Sequence, residues 1–284
     1  MKKILVTGAT GFIGHYVVKA LLDAGCSVIA SSANPVKAEA QPWFDKVHYL
    51  PFRFEDFDPN VDYFNFFDRP DALIHLAWEG LPNYKADFHV EVNLPRHEAF
   101  LRNLIEHGLT DLTVTGTCFE YGMQEGALKE DGPVYPANPY AIAKNTLRMR
   151  LDELVDEQPF GFKWVRLFYM YGRGQSPNSI LSQLDRALAN GDTSFNMSGG
   201  EQLRDYLPVE TVADHIVCIA LQNKVQGVIN CCSGVPISIN QLVSDYLAEK
   251  KASIHLNRGF YPYTDYEPMA FWGDRTKLSN ALSS

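Results

Sequence analysis

Two residues four positions apart in "PYAIAK", Tyr140 and Lys144, form a pair that could do acid-base chemistry. In a helix, this spacing places both side chains on the same face. A phenol has a pKa near ~10 and exchanges protons slowly at neutral pH unless a neighbouring cation stabilises its phenolate. Lys144 can supply that charge and can also donate to a ribose hydroxyl. The alternative is a packed tyrosine beside an exposed lysine, and the pair alone does not exclude it.

A second stretch, "KILVTGATGFIG", has a glycine spacing suited to phosphate binding. Gly8, Gly11 and Gly14 follow a predicted strand and open a predicted helix. Gly8 permits a tight turn, Gly11 lets the backbone approach a pyrophosphate, and Gly14 lets the helix pack closely on the sheet. The position of the motif in the first strand-helix unit predicts a dinucleotide site. The alternative is a glycine-rich turn without a ligand.

The end of the second predicted strand, "SVIASSANPVK", bears on the choice of cofactor. An acidic residue usually accepts the adenosine ribose hydroxyls at this place. Here Ser31 and Ser32 occupy it and Lys37 follows, so nothing repels a 2′-phosphate and three groups could hold one. The sequence therefore favours NADP(H) over NAD(H). The alternative is that the two serines only begin a loop and that backbone groups hold the ribose.

The composition excludes several classes of protein. The 284 residues are 46% hydrophobic and carry a formal net charge of −9, and no cluster of Lys and Arg is present, so a nucleic-acid surface is not expected. No segment approaches the ~18 apolar residues of a membrane span, which predicts no membrane contact and a cytoplasmic protein. The five cysteines lack a CxxC spacing. Neither a disulfide framework nor a metal site is therefore expected, and the cysteines are predicted to be reduced thiols.

Strands and helices must position these residues. Short apolar runs alternate with helix-period segments in the first half, which predicts an α/β fold with a Rossmann-type doubly wound parallel sheet. "LTVTGT" is a strand that ends at Thr117, and the next long helix, opened by Asn-Pro, carries Tyr140 and Lys144. We expect a dinucleotide-binding domain over 1–168, joined by a later strand near 228–232. A smaller C-terminal substrate-binding region covers 169–284.

Several motifs together resemble one family, the extended short-chain dehydrogenases/reductases that act on nucleotide sugars. They are GxxGxxG at 8–14, "HLAW" at 75–78, "TGTCFEYG", "YAIAK", "RLFYMYG" and "QLRDYLPVETVADHI" at 202–216. The sequence is most similar to the bacterial reductases of dTDP-4-keto-6-deoxyglucose-type sugars. The resemblance implies NADPH-dependent reduction of the 4-keto group of a nucleotide-linked 4-keto-6-deoxyhexose, in the biosynthesis of surface polysaccharide sugars such as those of O-antigen. It also implies a homodimer.

The resemblance assigns roles to the catalytic residues. Tyr140 is the general acid, Lys144 lowers its pKa and holds the nicotinamide ribose, and Thr117 hydrogen-bonds the substrate carbonyl oxygen. Such donors suit ketone reduction, because negative charge develops on that oxygen as hydride reaches the carbon. The expected cofactor-binding residues are Gly8, Thr10, Gly11, Phe12, Ile13, Gly14, Ser31, Ser32, Lys37, Leu76, Ala77 and Lys144.

The residues at positions 118 and 119, Cys118 and Phe119, argue against two reactions of the family, dehydration and epimerisation. They fall where the 4,6-dehydratases of the family carry an Asp-Glu pair, so dehydration is not expected. The related GDP-fucose synthases use a cysteine at the position of Phe119, one residue later than Cys118, so we expect reduction without epimerisation. Cys118 is interpreted as a small buried apolar residue; a catalytic thiol is the alternative.

The loop "GGEQLRDYLPVE" resembles the family segment in which an arginine grips the diphosphate. Arg204 is the candidate, since its guanidinium suits phosphate oxygens; a pair with Asp205 or Glu210 is the alternative. Tyr169 stands where many relatives have Asn, and Arg173 replaces a usual Pro, so base and sugar specificity stay open. The expected substrate-binding residues are Thr117, Cys118, Tyr169, Arg204 and, as a second phosphate contact, Arg258.

Two other functions compete with ketoreduction. A nucleotide-sugar 4-epimerase with tightly bound NAD would use the same Thr117, Tyr140 and Lys144. The lack of an acidic residue after the second strand disfavours it. A redox sensor or scaffold that binds the dinucleotide without catalysis is the second, and the complete catalytic set disfavours that. His75, at the end of a strand beside the cofactor, is expected to be structural rather than catalytic.

Overall fold

The computed structural model describes residues 1–263 and 267–283. Strands and helices alternate through this part of the chain. The strands are β1 (Lys3–Thr7), β2 (Ser27–Ser31), β3 (His48–Tyr49), β4 (Ala72–His75), β5 (Asp111–Thr117), β6 (Gly126–Leu128), β7 (Gly161–Leu167), β8 (Tyr169–Tyr171), β9 (Ser194–Asn196), β10 (Leu203–Pro208), β11 (Gly227–Cys231), β12 (Pro236–Ser238), β13 (His255–Asn257) and β14 (Phe271–Gly273). The α-helices are α1 (Phe12–Asp23), α2 (Pro35–Glu39), α3 (Tyr63–Phe66), α4 (Leu94–Glu106), α5 (Pro139–Glu157), α6 (Ile180–Asn190), α7 (Val209–Leu221), α8 (Ile239–Glu249) and α9 (Thr276–Leu282).

The main sheet has seven strands in the order β11-β7-β5-β4-β1-β2-β3, and every neighbouring pair is parallel. The predicted doubly wound α/β fold is confirmed. The chain order reverses between β1 and β4, whose last residues, Thr7 and His75, are paired. In sheets of this type, ligands bind at the carboxyl ends of the strands where the order reverses.

The main sheet is buried on both faces, which explains its long apolar runs. Successive residues of β1 alternate between the faces, so Ile4 and Val6 join one core and Leu5 the other. The first core contains residues of α1 and α7, and the second contains residues of α4 and α5. Each face of the sheet is therefore covered by helices, and α5 packs in the second core with residues of β5.

Smaller sheets stand beside the main one. Strands β12, β10 and β8 form a three-stranded sheet in that order, while β13 pairs with β9 and β14 with β6. A third core lies between α6, α8 and these strands, around Leu184, Phe195 and Val243. Strand β8 starts two residues after β7 ends. The smaller sheets thus begin at the carboxyl edge of the main sheet.

Two apolar runs form shorter strands than their length would allow. The run "VHYLPF" is a strand only at His48–Tyr49, and "RLFYMYG" divides at Phe168 into two strands of different sheets. The five cysteines are free thiols in the structure, and Cys118, Cys231 and Cys232 are buried. Within the described ranges, no helix is both long and apolar enough to cross a bilayer.

Candidate active site

Strand β5 and helix α5 bring the three predicted catalytic residues together. Thr117 is the last residue of β5, and a 3₁₀ turn over Cys118–Tyr121 follows it. The Thr117 hydroxyl accepts a hydrogen bond from the N–H of Phe119 at 3.2 Å, and it lies close enough to the Tyr140 hydroxyl to lower the pKa of that phenol. Thr117 and Tyr140 are each 7% exposed and Lys144 is 2% exposed. The geometry therefore brings Thr117 and Tyr140 together in one buried place.

The start of α5 fixes the direction of Tyr140. Asn138 caps the helix by accepting from the backbone N–H three residues later at 2.9 Å, and Pro139 fills the first helical position. Tyr140 lies in the first turn, and its own N–H donates to the carbonyl of Tyr84 at 3.2 Å. The rings of Tyr84 and His89 pack on Tyr140, with centroids 5.5 and 5.4 Å away. These contacts leave the phenol little freedom to turn.

Burial acts in opposite ways on Tyr140 and Lys144. It raises the pKa of Tyr140 well above the usual range, and nearby Tyr84 and Glu120 raise it further, so the phenol keeps its proton at neutral pH. Burial lowers the pKa of Lys144 to about 7, and the carboxylate of Glu120 opposes that shift. The Lys144 ammonium donates to the carbonyl of Thr115 at 2.8 Å and lies 4.2 Å from the centre of the Trp78 ring.

The glycine loop has the tight geometry that its spacing predicts. Gly8 has a φ of +72°, and a Cβ on it would lie 2.8 Å from the backbone N of Ala77. A Cβ on Gly14 would lie 2.1 Å from the carbonyl oxygen of Gly8. Gly11 stands at the start of α1, where no side chain caps the helix. The loop is thus a cradle without side chains at a helix N-terminus, which fits the pyrophosphate of a dinucleotide.

A groove runs from this loop across the carboxyl ends of β1, β2 and β4. Phe12 lies beside it, in an adjoining cavity that also contains Arg173, while Ile13 packs on the core. Gly14 packs against the loop, and Lys144 is absent from the lining. The residues that line the groove are Thr7, Gly8, Thr10, Gly11, Ser31, Ser32, Ala33, Lys37, Phe52, Phe54, Leu76, Ala77, Trp78 and Glu79.

Glu79 is a residue of this groove that the sequence analysis missed. Its carboxylate is hydrogen-bonded to Nε2 of the His97 ring at 3.0 Å, and its side chain is 53% exposed. His97 in turn hydrogen-bonds His75 at 2.9 Å, and His75 hydrogen-bonds the hydroxyl of Thr7 at 2.8 Å. Burial lowers the pKa of both histidines. The position of Glu79 directly after "HLAW" could have indicated a residue of the groove. Its orientation, however, depends on His97, 18 residues away.

Arg204 is buried, but its partner is neither of the two acids that the sequence suggested. Its Nη2 donates to the carboxylate of Glu267 at 3.0 Å, and its guanidinium lies 4.7 Å from the centre of the Phe271 ring. Asp205 instead accepts backbone N–H groups of Ser233 and its neighbour. A phosphate at Arg204 would therefore compete with the Glu267 carboxylate.

The other predicted substrate residues differ in exposure. Cys118 is 5% exposed, and burial raises the pKa of its thiol far above neutrality, so the sulfur stays uncharged. The Tyr169 hydroxyl is buried and has no hydrogen-bond partner among the described residues. Arg258 is exposed, and its Nε donates to Asn240 at 2.8 Å. Cys118 and Tyr169 share a buried cluster with Phe168 and Phe271, and the structure does not place Arg258 in that cluster.

Comparison with known proteins places this arrangement in a wider context. Residues 4–232 match the NAD dependent epimerase/dehydratase family. The dTDP-6-deoxy-L-talose 4-dehydrogenase (NAD(+)) of Aggregatibacter actinomycetemcomitans is 31% identical, over 95% of this chain and 98% of that protein. The GDP-6-deoxy-D-talose 4-dehydrogenase of the same organism is 25% identical, over 99% and 92% of the two chains.

Solved structures show the same fold at lower identity. A UDP-N-acetylglucosamine 4-epimerase from Methanobrevibacter ruminantium M1, in complex with UDP-N-acetylmuramic acid, superposes with a TM-score of 0.87 at 22% identity, over 99% of this chain and 91% of that one. A UDP-glucuronic acid 4-epimerase from Bacillus cereus, with UDP-glucuronic acid and NAD, gives a TM-score of 0.81 at 23% identity, over 99% and 93%. The architecture is therefore shared across nearly the whole chain.

The first prediction concerns the cost of burying Lys144. Its pKa is lowered to about 7 from 10.5, so the unfolded chain binds more protons between these values and stability rises with pH in that window. Lys144→Met should stabilise the cofactor-free protein near pH 6 by on the order of 3–5 kcal/mol, and the gain should shrink toward pH 10. Urea denaturation at pH 6, 8 and 10 measures this. Lys37→Met, at an exposed lysine, is the control; a pH-independent difference for Lys144→Met would contradict the prediction.

The second prediction concerns Cys118. Because its thiol stays uncharged and packs in an apolar cluster, Cys118→Ala should keep at least about a third of the wild-type turnover and should lose about 1 kcal/mol of stability or more. Steady-state kinetics and urea denaturation measure the two effects. Loss of nearly all turnover with the fold intact would make the thiol a catalyst.

Proposed function

Because this chain belongs to the NAD dependent epimerase/dehydratase family, we propose that it reduces the 4-keto group of a nucleotide-linked 4-keto-6-deoxyhexose. The observation that carries the proposal is the placement of the buried Thr117 hydroxyl beside the buried Tyr140 phenol, with Lys144 one helical turn further along α5. Two hydroxyl groups that meet at one point can both serve a carbonyl oxygen on which charge develops. The two regions over 1–168 and 169–284 are proposed to hold the dinucleotide and the nucleotide sugar, respectively.

The residues divide the chemistry between them. A nicotinamide dinucleotide, when bound, supplies the hydride that the carbon accepts. Tyr140 gives its proton to the carbonyl oxygen, so the product is a hydroxyl group and the phenol is left as phenolate. Lys144 stabilises that phenolate when it is protonated, and Thr117 holds the oxygen in place. Because burial raises the pKa of Tyr140, the phenol is protonated at the start of each turnover.

The relatives support the position of the reaction on the sugar. The two relatives from A. actinomycetemcomitans are named as 4-dehydrogenases of 6-deoxy-talose nucleotides. Oxidation of a 4-hydroxyl and reduction of a 4-ketone are opposite directions of one reaction, and the same acid-base residues serve both. The greater identity to the dTDP-sugar enzyme favours a dTDP-linked substrate for this chain. Cys118 and Phe119, in place of a carboxylate pair, favour simple redox chemistry over dehydration.

The substrate diphosphate is proposed to bind at Arg204. This guanidinium is 1% exposed and is held between the Phe271 ring and the Glu267 carboxylate. A diphosphate carries more negative charge than one carboxylate and offers oxygens for a bidentate contact. We propose that it takes the place of Glu267 beside Arg204. On α5, the exposed Ile142 and Met149 support the homodimer expected from the family.

The cofactor is proposed to be NADP(H). Ser31 and Ser32 lie at the end of β2, Lys37 lines the same groove, and no acid directly follows the strand. The relative with 31% identity is named as NAD(+)-dependent, so the preference of this chain must be measured rather than transferred. Glu79 is the acid of the groove, and its carboxylate could accept a ribose hydroxyl in either cofactor.

Glu79 also favours a second candidate function. A 4-epimerase must retain its dinucleotide through the reaction, and a carboxylate held toward the groove is the kind of group that retains NAD. Such an enzyme would use the same Thr117, Tyr140 and Lys144. It would invert carbon 4 without net consumption of cofactor, which separates it from the proposed reductase.

The third prediction tests the role of Tyr140. Tyr140→Phe removes the proton donor but keeps the ring, so NADPH oxidation with a dTDP-4-keto-6-deoxy sugar should fall by about 10²–10⁴-fold, while the Kd for NADPH stays within about twofold. Tyr135→Phe, at an exposed tyrosine, is the matched control. Wild-type turnover in Tyr140→Phe would remove Tyr140 from the mechanism. A protein that carries bound NAD⁺ and interconverts sugars without oxidising NADPH would establish the epimerase instead.

The fourth prediction tests the cofactor. The wild-type protein should bind NADPH more tightly than NADH, because three groups near the end of β2 can contact a 2′-phosphate. Lys37→Ala should weaken NADPH binding by about fivefold or more and should leave NADH binding unchanged. Quenching of tryptophan fluorescence measures both Kd values, with Lys46→Ala as the exposed-lysine control. Tighter NADH binding, or an unchanged NADPH affinity in Lys37→Ala, would show that the preference is wrong.

A further inference from the structure

Directly beneath Thr117 lies a fully buried carboxylate, that of Glu120, which the proposed chemistry does not use. It is 0% exposed and accepts hydrogen bonds from three donor groups. The donors are the backbone N–H of Thr117 at 2.8 Å, the indole Nε1 of Trp164 at 2.9 Å and the guanidinium Nε of Arg166 at 2.8 Å. A charged group out of water must be compensated in this way. One of its three partners is a residue of the catalytic set.

We propose that Glu120 is a positioning residue for the ketoreduction: it fixes Thr117 at the carbonyl oxygen and acts as the buried counter-charge of Lys144. The proposal rests on the function proposed above. It deepens that function by assigning a task to a residue that contacts neither the substrate nor the cofactor groove.

Thr117 is held at both of its polar groups. Its N–H donates to Glu120, while its hydroxyl accepts from the N–H of Phe119 at 3.2 Å. Both contacts lie within the 3₁₀ turn that follows β5, so they set the rotation of the threonine about the end of the strand. Loss of the carboxylate would release the N–H of Thr117 and, with it, the direction of the hydroxyl that meets Tyr140.

The space around Glu120 shows that the carboxylate is packed against the strand itself. A Cβ on Gly116 would lie 2.1 Å from the Trp164 Nε1 and 2.4 Å from a Glu120 carboxylate oxygen. Only glycine therefore fits between Thr115 and Thr117. The Thr115 carbonyl accepts a hydrogen bond from the Lys144 ammonium, and the Thr117 N–H donates to Glu120. The cation and the anion therefore contact the same strand at positions two residues apart.

The negative charge of Glu120 affects the pKa of both Lys144 and Tyr140. It opposes the lowering of the pKa of Lys144 by burial, and it helps to raise the pKa of Tyr140. Arg166 offsets part of this charge and lies 4.4 Å from the centre of the Tyr121 ring. The titratable groups that face Tyr140 are Tyr84, His89, Glu120 and Cys118. Those that face Lys144 are Glu120, Glu79, His75, His89 and His97.

Glu120→Gln tests both parts of the proposal. Without the negative charge, the pKa values of Lys144 and Tyr140 both fall, so the protonated forms that reduction needs are lost at lower pH. The alkaline limb of the kcat profile should move down by about one pH unit. kcat at its optimum should fall by about 10–100-fold, because a glutamine amide has one acceptor oxygen for the three donors that Glu120 holds and so anchors Thr117 less firmly, while the Kd for NADPH stays within about twofold.

Two further variants separate position, charge and general damage. Glu120→Asp keeps the charge but shortens the side chain, so kcat should fall without a shift of the alkaline limb. Asp111→Asn is the matched control, because Asp111 also pairs with a buried cation, Lys163, at 2.6 Å and lies at the opposite end of β5. It should lose stability but keep the kcat and pH profile of the wild type. Equal effects of Asp111→Asn and Glu120→Gln would overturn the proposal.

A measurement without substrate keeps this test independent of the proposed function. The titration of Lys144, followed by NMR of the lysine side chains in the cofactor-free protein, should move to lower pH in Glu120→Gln and should stay unchanged in Asp111→Asn. An unchanged titration in Glu120→Gln, or wild-type kcat in both Glu120 variants, overturns this inference. A wild-type protein that reduces no keto sugar, yet shows the shifted titration, contradicts the proposed function and keeps the electrostatic role of Glu120.

Discussion

The hydrogen bond from the Lys144 ammonium to the carbonyl of Thr115 is the interaction on which the site depends. It requires α5 to lie along the end of β5, and it therefore brings Tyr140, one turn earlier in the helix, to Thr117. The bond also has to compensate a cation that is 2% exposed. The Trp78 ring contributes to that compensation, so the segment that follows β4 belongs to the same arrangement.

Lys144 differs from the other deeply buried cations of the described chain. Lys163, Arg166 and Arg204 each have a carboxylate oxygen within 3.0 Å. Lys144 has a carbonyl and an aromatic face instead, and its pKa is lowered to about 7. A cation paired with a carboxylate would be fixed in its charge. A cation whose direct contacts are neutral can respond to what binds next to it, which suits the proposed contacts of Lys144 with a ribose and a phenolate.

The sequence predicted those features whose causes are local. Glycine spacing, the helix start before Tyr140 and the alternation of strands and helices each depend on neighbouring residues, and the α/β fold was confirmed. Partners from distant segments could not be predicted in this way. Glu267 meets Arg204 from 63 residues away, and Trp164 meets Glu120 from 44 residues away. No local pattern of charge or hydropathy encodes such pairs, because they arise only when the sheet has assembled.

The position of β11 has a consequence for how the chain folds. This strand pairs Gly227–Cys231 with Lys163–Leu167 of β7, so the last third of the chain closes the edge of the main sheet. Until residues 227–231 are in place, β7 presents an unpaired edge of backbone groups, which is a template for aggregation. The contact spans more than sixty residues, which slows its formation. The main sheet, which carries the glycine loop after β1, is therefore incomplete at this edge until residues 227–231 have been synthesised.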